Sequence, residues 1–188
     1  MALTKKEKDF LLRLARMSID YFFSSKTLLK LKEQELPSKD LTEKKGCFVT
    51  LTIDSALRGC IGHLLPVQEL YKDIIENAIN AGFYDPRFPK LTANELETTK
   101  IEISVLDIPA ELSYKSEKEL LDKLNKNKPG VIIKKGYYQA TFLPQVWEEL
   151  PNAKLFLSEL CLKAGLSKDE WKNNINIEVY NVEKFKEE

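Results

Sequence analysis

Histidine is almost missing from this sequence: His63 is the only one among 188 residues. The three cysteines, Cys47, Cys60 and Cys161, form no Cys-x-x-Cys pair. Together these shortages argue against a structural zinc site, and no metal is expected. An odd number of cysteines also suits a reducing compartment better than a disulfide scaffold. No uncharged apolar run reaches the roughly 18 residues that a membrane span needs. Met1 to Lys6 lacks the apolar core of a secretory signal, so the expectation is a cytoplasmic protein with no membrane contact. Excess charge of either sign is lacking too, since Lys plus Arg and Asp plus Glu both total 29. The lysine-rich N-terminal third therefore reads as solvated surface rather than a nucleic-acid footprint.

What is present is the balance of a folded globular chain, with 43% hydrophobic and 31% charged residues. The length suits one domain, over residues 1–188, built of a larger and a smaller lobe. Such a chain buries about 70% of its unfolded surface and needs no staple. Thr4-Lys5-Lys6-Glu7 is a capping box, and Phe10, Leu11, Leu14, Met17, Tyr21 and Phe22 continue at helical spacing to about Ser24. Lys30 to Lys45, charged and carrying Pro37, reads as a loop. Cys47 to Ile53 alternates as a strand, Asp54-Ser55 turns, and Ala56 to Ile61 returns, giving a hairpin. Pro66 suits the start of a helix over Val67 to about Ala81, with Gly82 as its end.

Asp85-Pro86-Arg87-Phe88-Pro89 is a loop stiffened by its prolines. Thr92-Ala93-Asn94-Glu95 is a second capping box, and Lys100 to Leu106 alternates as a strand with one wet face. Ser116 to Asn125 reads as a short amphipathic helix. Val131 to Ile133 and Tyr137 to Phe142 form another hairpin around Lys134-Lys135-Gly136. A helix over Ala153 to Ala164 follows, then a short one capped by Ser167, and a strand over Ile175 to Val182. Strands in hairpins with helices between them make the class α+β, with a mainly antiparallel sheet flanked by helices.

Leu57-Arg58-Gly59-Cys60-Ile61-Gly62 is the most informative stretch. Gly59 and Gly62 allow φ > 0 or a close backbone approach. Strand alternation puts Arg58 and Cys60 on one face, where a guanidinium favours thiolate over thiol, unless a β-bulge intervenes. Cys60 is read either as a nucleophile or acyl carrier, with Arg58 or His63 lowering its pKa, or as a small packed strand residue. His63 is either a general base to that thiol or an ordinary residue at a strand end. Asp85 and Arg87 are read as a carboxylate and guanidinium offered to a cleft, or as a salt bridge pinning their loop to the sheet. Arg58 and Arg87 converging on one pocket would favour an anionic ligand. Thr141 and Gln145 are either polar groups of the cleft or ordinary sheet and helix-start residues. Cys47, Cys161, Trp147, Phe156 and Trp171 read as core.

In order, these segments resemble the AMMECR family. The resemblance runs through Gly46 to Leu51, Leu57 to Gly62, Asp85-Pro86-Arg87-Phe88, Glu102 to Leu106, Gly130 to Ile133, Ala140 to Trp147, and Phe156 to Leu166. The intact Leu57–Gly62 run is the family's signature. Asp54-Ser55-Ala56 stands where members often carry a glycine, and the first 45 residues hold no distinctive motif. The resemblance implies a two-lobed α+β domain with a cleft near the signature, and it supplies no reaction or cofactor. It implies partners of the Memo type and of the radical S-adenosylmethionine type. The expected function is a cleft of Cys60, Arg58, Asp85 and Arg87 that binds a small anionic molecule or peptide group and acts on it. A non-enzymatic adaptor, docking through the same motif, is the alternative.

Overall fold

The capping threonines do what their sequence context predicts. Thr4 accepts from the Glu7 amide while the Glu7 carboxylate accepts from the Thr4 amide, which satisfies two of the N–H groups a helix start leaves over. The computed structural model describes residues 2–188. Helix α1 runs over Lys5–Ser25 and is followed by two 3-10 turns at Glu33–Glu35 and Lys39–Thr42. Strands β1 (Cys47–Ile53) and β2 (Ala56–His63) form the first hairpin. Helices α2 (Leu70–Phe83) and α3 (Ala93–Thr98) then precede β3 (Lys100–Leu106). Next come β4 (Ala110–Glu111), α4 (Glu117–Asn127), β5 (Gly130–Lys135), β6 (Tyr138–Phe142), α5 (Ala153–Lys163), β7 (Asn176–Tyr180) and β8 (Val182–Lys186).

The strands make two four-stranded sheets, ordered β2-β1-β3-β8 and β4-β7-β5-β6. The fold is α+β, and every pairing whose register is defined is antiparallel. The chain divides into two compact units. The first holds the residues up to Ile108 together with Glu183–Glu188, and the second holds Pro109–Val182.

In the first unit, Cys47, Val49 and Leu51 of β1 alternate inward and meet Leu70, Ile74 and Ala78 of α2 and Leu11, Leu14 and Ile19 of α1 in one core. Arg16 of α1 ties the returning C-terminal strand down. Its guanidinium forks onto Glu187 at 2.7 and 2.5 Å and also donates to Thr99 O at 2.7 Å. In the second unit, Leu120, Val131, Ile133, Leu160, Cys161 and Trp171 pack around Phe156, whose ring stacks on Trp147 at 3.9 Å.

Three boundaries differ from the sequence reading. Helix α2 starts at Leu70 rather than Val67, because Glu69 is bridged to Lys44 and the Leu70 amide donates to Glu43 O. Gly82 lies inside that helix and is not its left-handed cap; its carbonyl accepts from Leu91 N at 2.7 Å. The run Ile175 to Val182 is not one strand. It ends in the second sheet at Tyr180, and β8 begins in the first at Val182.

Candidate functional site

Strand β2 is the edge of the first sheet, so one side of its backbone has no strand partner. The register between β1 and β2 shifts within it. Leu51 faces Gly59 and Thr52 faces Leu57, which leaves Arg58 as an extra residue. This is a β-bulge, and it breaks the alternation on which a shared Arg58–Cys60 face depends. Cys60 lies opposite Thr50, on the face away from the core, and the Thr50 hydroxyl donates to Cys60 Sγ at 3.2 Å. Cys60 as a whole is partly exposed. The Arg58 side chain runs to α3 instead and forks onto Glu95, with Nε at 2.8 Å and Nη2 at 3.1 Å.

Glu95 is also the third residue of α3, where it accepts from the Thr92 amide and hydroxyl. The guanidinium of Arg58, helped by the Thr92 donors and opposed by burial, lowers its pKa from 4.5 to about 2. Arg58 itself is buried, and its Nη1 has no partner among the described residues.

Asp85 and Arg87 do not stand apart from the sheet. They close around the backbone N–H and C=O of Cys60 at the open edge. The buried Asp85 carboxylate accepts from Cys60 N at 2.9 Å, and Arg87 Nη2 donates to Cys60 O at 3.2 Å. Arg87 in turn holds Asp85 through Nε at 2.9 Å, Nη2 at 2.7 Å and its own amide at 3.1 Å. A carboxylate and a guanidinium thus do for Cys60 what a neighbouring strand would have done, and they block that stretch of edge. The Arg87 fork first, then the two amides, hold the Asp85 carboxyl well below the usual carboxylate range against the effect of burial. The Phe88 ring lies 6.0 Å from the Arg58 guanidinium and 5.5 Å from that of Arg87.

The glycines serve close approach, not positive φ. A Cβ on Gly59 would sit 2.1 Å from Ala81 O of α2, and one on Gly62 would sit 2.2 Å from Cys47 O. Both are used up in packing the hairpin against α2 and against itself.

His63 is not beside the thiol. It stands three positions after Cys60, an odd offset, and lies opposite Cys47 on the core-facing side. Its Nδ1 is 2.7 Å from Oδ1 of Asp73, a fully buried carboxylate that also accepts from Cys47 Sγ and from Gln68 Nε2. Burial, and then the neighbouring Asp73, push the Cys47 thiol pKa well up, so this sulfur is a structural donor. Thr141 and Gln145 belong to the second unit. The Thr141 hydroxyl donates to Val131 O at 2.9 Å and lies 3.0 Å from the Tyr180 hydroxyl, while Gln145 sits in the 3-10 helix Pro144–Glu148. The structure therefore brings together Cys60, Asp85 and Arg87, sends Arg58 to Glu95, and turns His63 to the opposite face.

Three residues of this arrangement, Thr50, Gln68 and Asp73, escaped the sequence reading as partners, and Glu95 was read only as part of a capping box. Asp73 carried a usable signal, because it sits three residues after Leu70 on the buried stripe of α2, where a carboxylate must find partners.

The AMMECR1 family model matches residues 12–185. A protein of Methanopyrus kandleri is 40% identical across 99% of this chain and 91% of its own length. One of Nanoarchaeum equitans is 41% identical across 86% of this chain and 89% of its own. The crystal structure of an uncharacterized protein from Pyrococcus horikoshii superposes with a TM-score of 0.80 at 34% identity, covering 99% of this chain and 94% of that one.

Proposed function

Since the chain belongs to the AMMECR1 family, we propose that it acts as a recognition module whose contact group is the thiol of Cys60. The observation that carries this reading is the clamp on Cys60. A buried carboxylate and a guanidinium fix its backbone N–H and C=O while the residue remains partly exposed. A rigid backbone under an accessible side chain lowers the ordering cost of a contact. Arg58 and Arg87 are both committed to carboxylates, which weighs against a pocket of bare cations for a small anion. Arg87 keeps a half-exposed side chain, so it is the group beside the thiol that can meet a carbonyl or carboxylate of a peptide.

The only histidine, the natural base for a thiol, is on the opposite face, and the guanidinium beside Cys60 is already held by Asp85, which favours docking over covalent catalysis by this chain alone. The Thr50 hydroxyl at the sulfur and the nearby Arg87 are the features on the side of chemistry. The proposed partners are the Memo-type and radical S-adenosylmethionine-type proteins implied by the family resemblance. The test is co-purification of tagged wild-type, Cys60→Ala and Arg87→Ala chains with each partner. Loss of capture in both variants, each still folded at the assay temperature, supports the reading. Capture that survives both substitutions overturns it.

A further inference from the structure

The first unit has a concave feature separate from Cys60, between the segment after α1 and helix α2. Leu29 and Leu31, from the segment after α1, and Tyr71 and Ile75 of α2 wall a cavity of about 340 Å³. Its polar lining includes Gln68 and Glu76. That volume is at the small end of ligand sites, which are typically mostly apolar with a few placed polar groups.

The chemistry of the polar groups can be read atom by atom. Gln68 Nε2 donates to Asp73 Oδ1 at 3.2 Å and to Glu76 Oε2 at 2.7 Å. A nitrogen between two carboxylates fixes which way the amide is turned, because the oxygen in that position would face two acceptors. Both amide protons are therefore used. What remains is Gln68 Oε1 and Glu76 Oε1, two acceptors with no partner among the described residues. The carboxylates of Asp73 and Glu76 share this one amide nitrogen; Asp73 lies behind the lining and is also met by His63 Nδ1 at 2.7 Å, so Glu76 is the acid that faces the cavity. Lys72, also on the lining, is already held by Glu69 at 2.9 Å and lies over the Tyr71 ring. Of the two lysines on the lining, the exposed Lys30 is the one that makes no ion pair among the described residues.

We infer that this cavity is a binding site for a small amphipathic amine. An aromatic or branched aliphatic body fills the space between Leu29, Leu31, Tyr71 and Ile75, and an ammonium donates to Glu76 and Gln68. An ammonium supplies donors only, matching the two acceptors that Gln68 and Glu76 present. Its bond to Glu76 is of the charge-assisted kind.

Three probes of one shape test this on the full chain by isothermal titration and saturation-transfer NMR: phenethylamine, phenethyl alcohol and hydrocinnamate. The expected result is binding of the amine, about tenfold tighter than the alcohol, with the carboxylate weakest. Glu76→Gln keeps an acceptor for Gln68 and is expected to cost the amine about tenfold while leaving the alcohol unchanged. If that variant unfolds at a lower temperature, Gln68→Met, which keeps the carboxylate, provides the second reading, with a smaller loss. Carboxylate binding equal to or tighter than the amine would assign the site to Lys30 and overturn the inference. Equal affinity for all three probes, or no binding at millimolar concentration, would overturn it as well.

Discussion

Replacing Asp85 by alanine tests the edge clamp most sharply. The carboxylate accepts from the amide of Cys60, the amide of Arg87, and the Arg87 guanidinium. Arg87 is exposed, so water takes over its donors when the carboxylate is gone. Cys60 N is different, because it points at a buried acceptor from an edge strand. Leaving one such donor unsatisfied, and losing a charged acceptor, sums to about 2–3 kcal/mol of stability. Asp85→Asn keeps an oxygen for the Cys60 amide but gives up the charge, so it falls between alanine and wild type.

The assay is urea unfolding at pH 6, paired with hydrogen exchange at the Cys60 amide. The pH dependence has a definite sign. Asp85 is held below its ordinary value of 3.8, so its contribution is fully present above that value and disappears as pH falls through the lower folded-state pKa. The gap between wild type and Asp85→Asn is therefore complete at pH 6 and narrows in strong acid. A loss under about 0.5 kcal/mol with Cys60 amide exchange as slow as in wild type would refute the reasoning.

Further outcomes follow from the same geometry. Gly59→Ala puts a methyl 2.1 Å from a helix backbone oxygen that cannot swing aside, so it should cost at least about 1–3 kcal/mol. Gly136→Ala, which meets nothing within 4 Å, is the comparison and carries only its φ strain; equal losses in thermal unfolding would contradict the close-approach argument. Iodoacetamide on the native chain should label Cys60 and spare Cys47 and Cys161, which are fully buried, until urea is added; peptide mass spectrometry reads this directly. Glu95→Gln should weaken the fold near neutral pH by removing the partner of Arg58. That difference should shrink as the wild-type carboxylate protonates between about pH 4.5 and about 2, and a gap that widens in acid would contradict the pairing.

How much of this was legible in the sequence depended on whether the deciding contact was local. Thr4 and Thr92 announce their helices because a capping box lies within four residues, and the β1–β2 hairpin follows from its alternation. The start of α2 was misplaced because its first amide bonds to Glu43, far away in sequence. The final apolar run was read as one strand, since alternation alone does not tell which of two sheets a residue joins. At the site, Cys60, Asp85 and Arg87 were recognisable as chemistry-bearing residues in stiff surroundings. The bulge at Arg58 was not, because no residue type demands it, and it is what redirects the guanidinium to Glu95. The position of His63 was available from its odd spacing to Cys60, whereas its partner Asp73 required the fold.

The central claim is that the partly exposed Cys60 is where another molecule makes contact. The direct measurement is the rate of iodoacetamide labelling of Cys60 in the free chain and in the complex recovered with its partner. A slowing of at least tenfold in the complex, with Cys47 and Cys161 unlabelled throughout, is the predicted result, since tenfold corresponds to about 1.4 kcal/mol of protection. Labelling of Cys60 at the same rate in both would contradict the account.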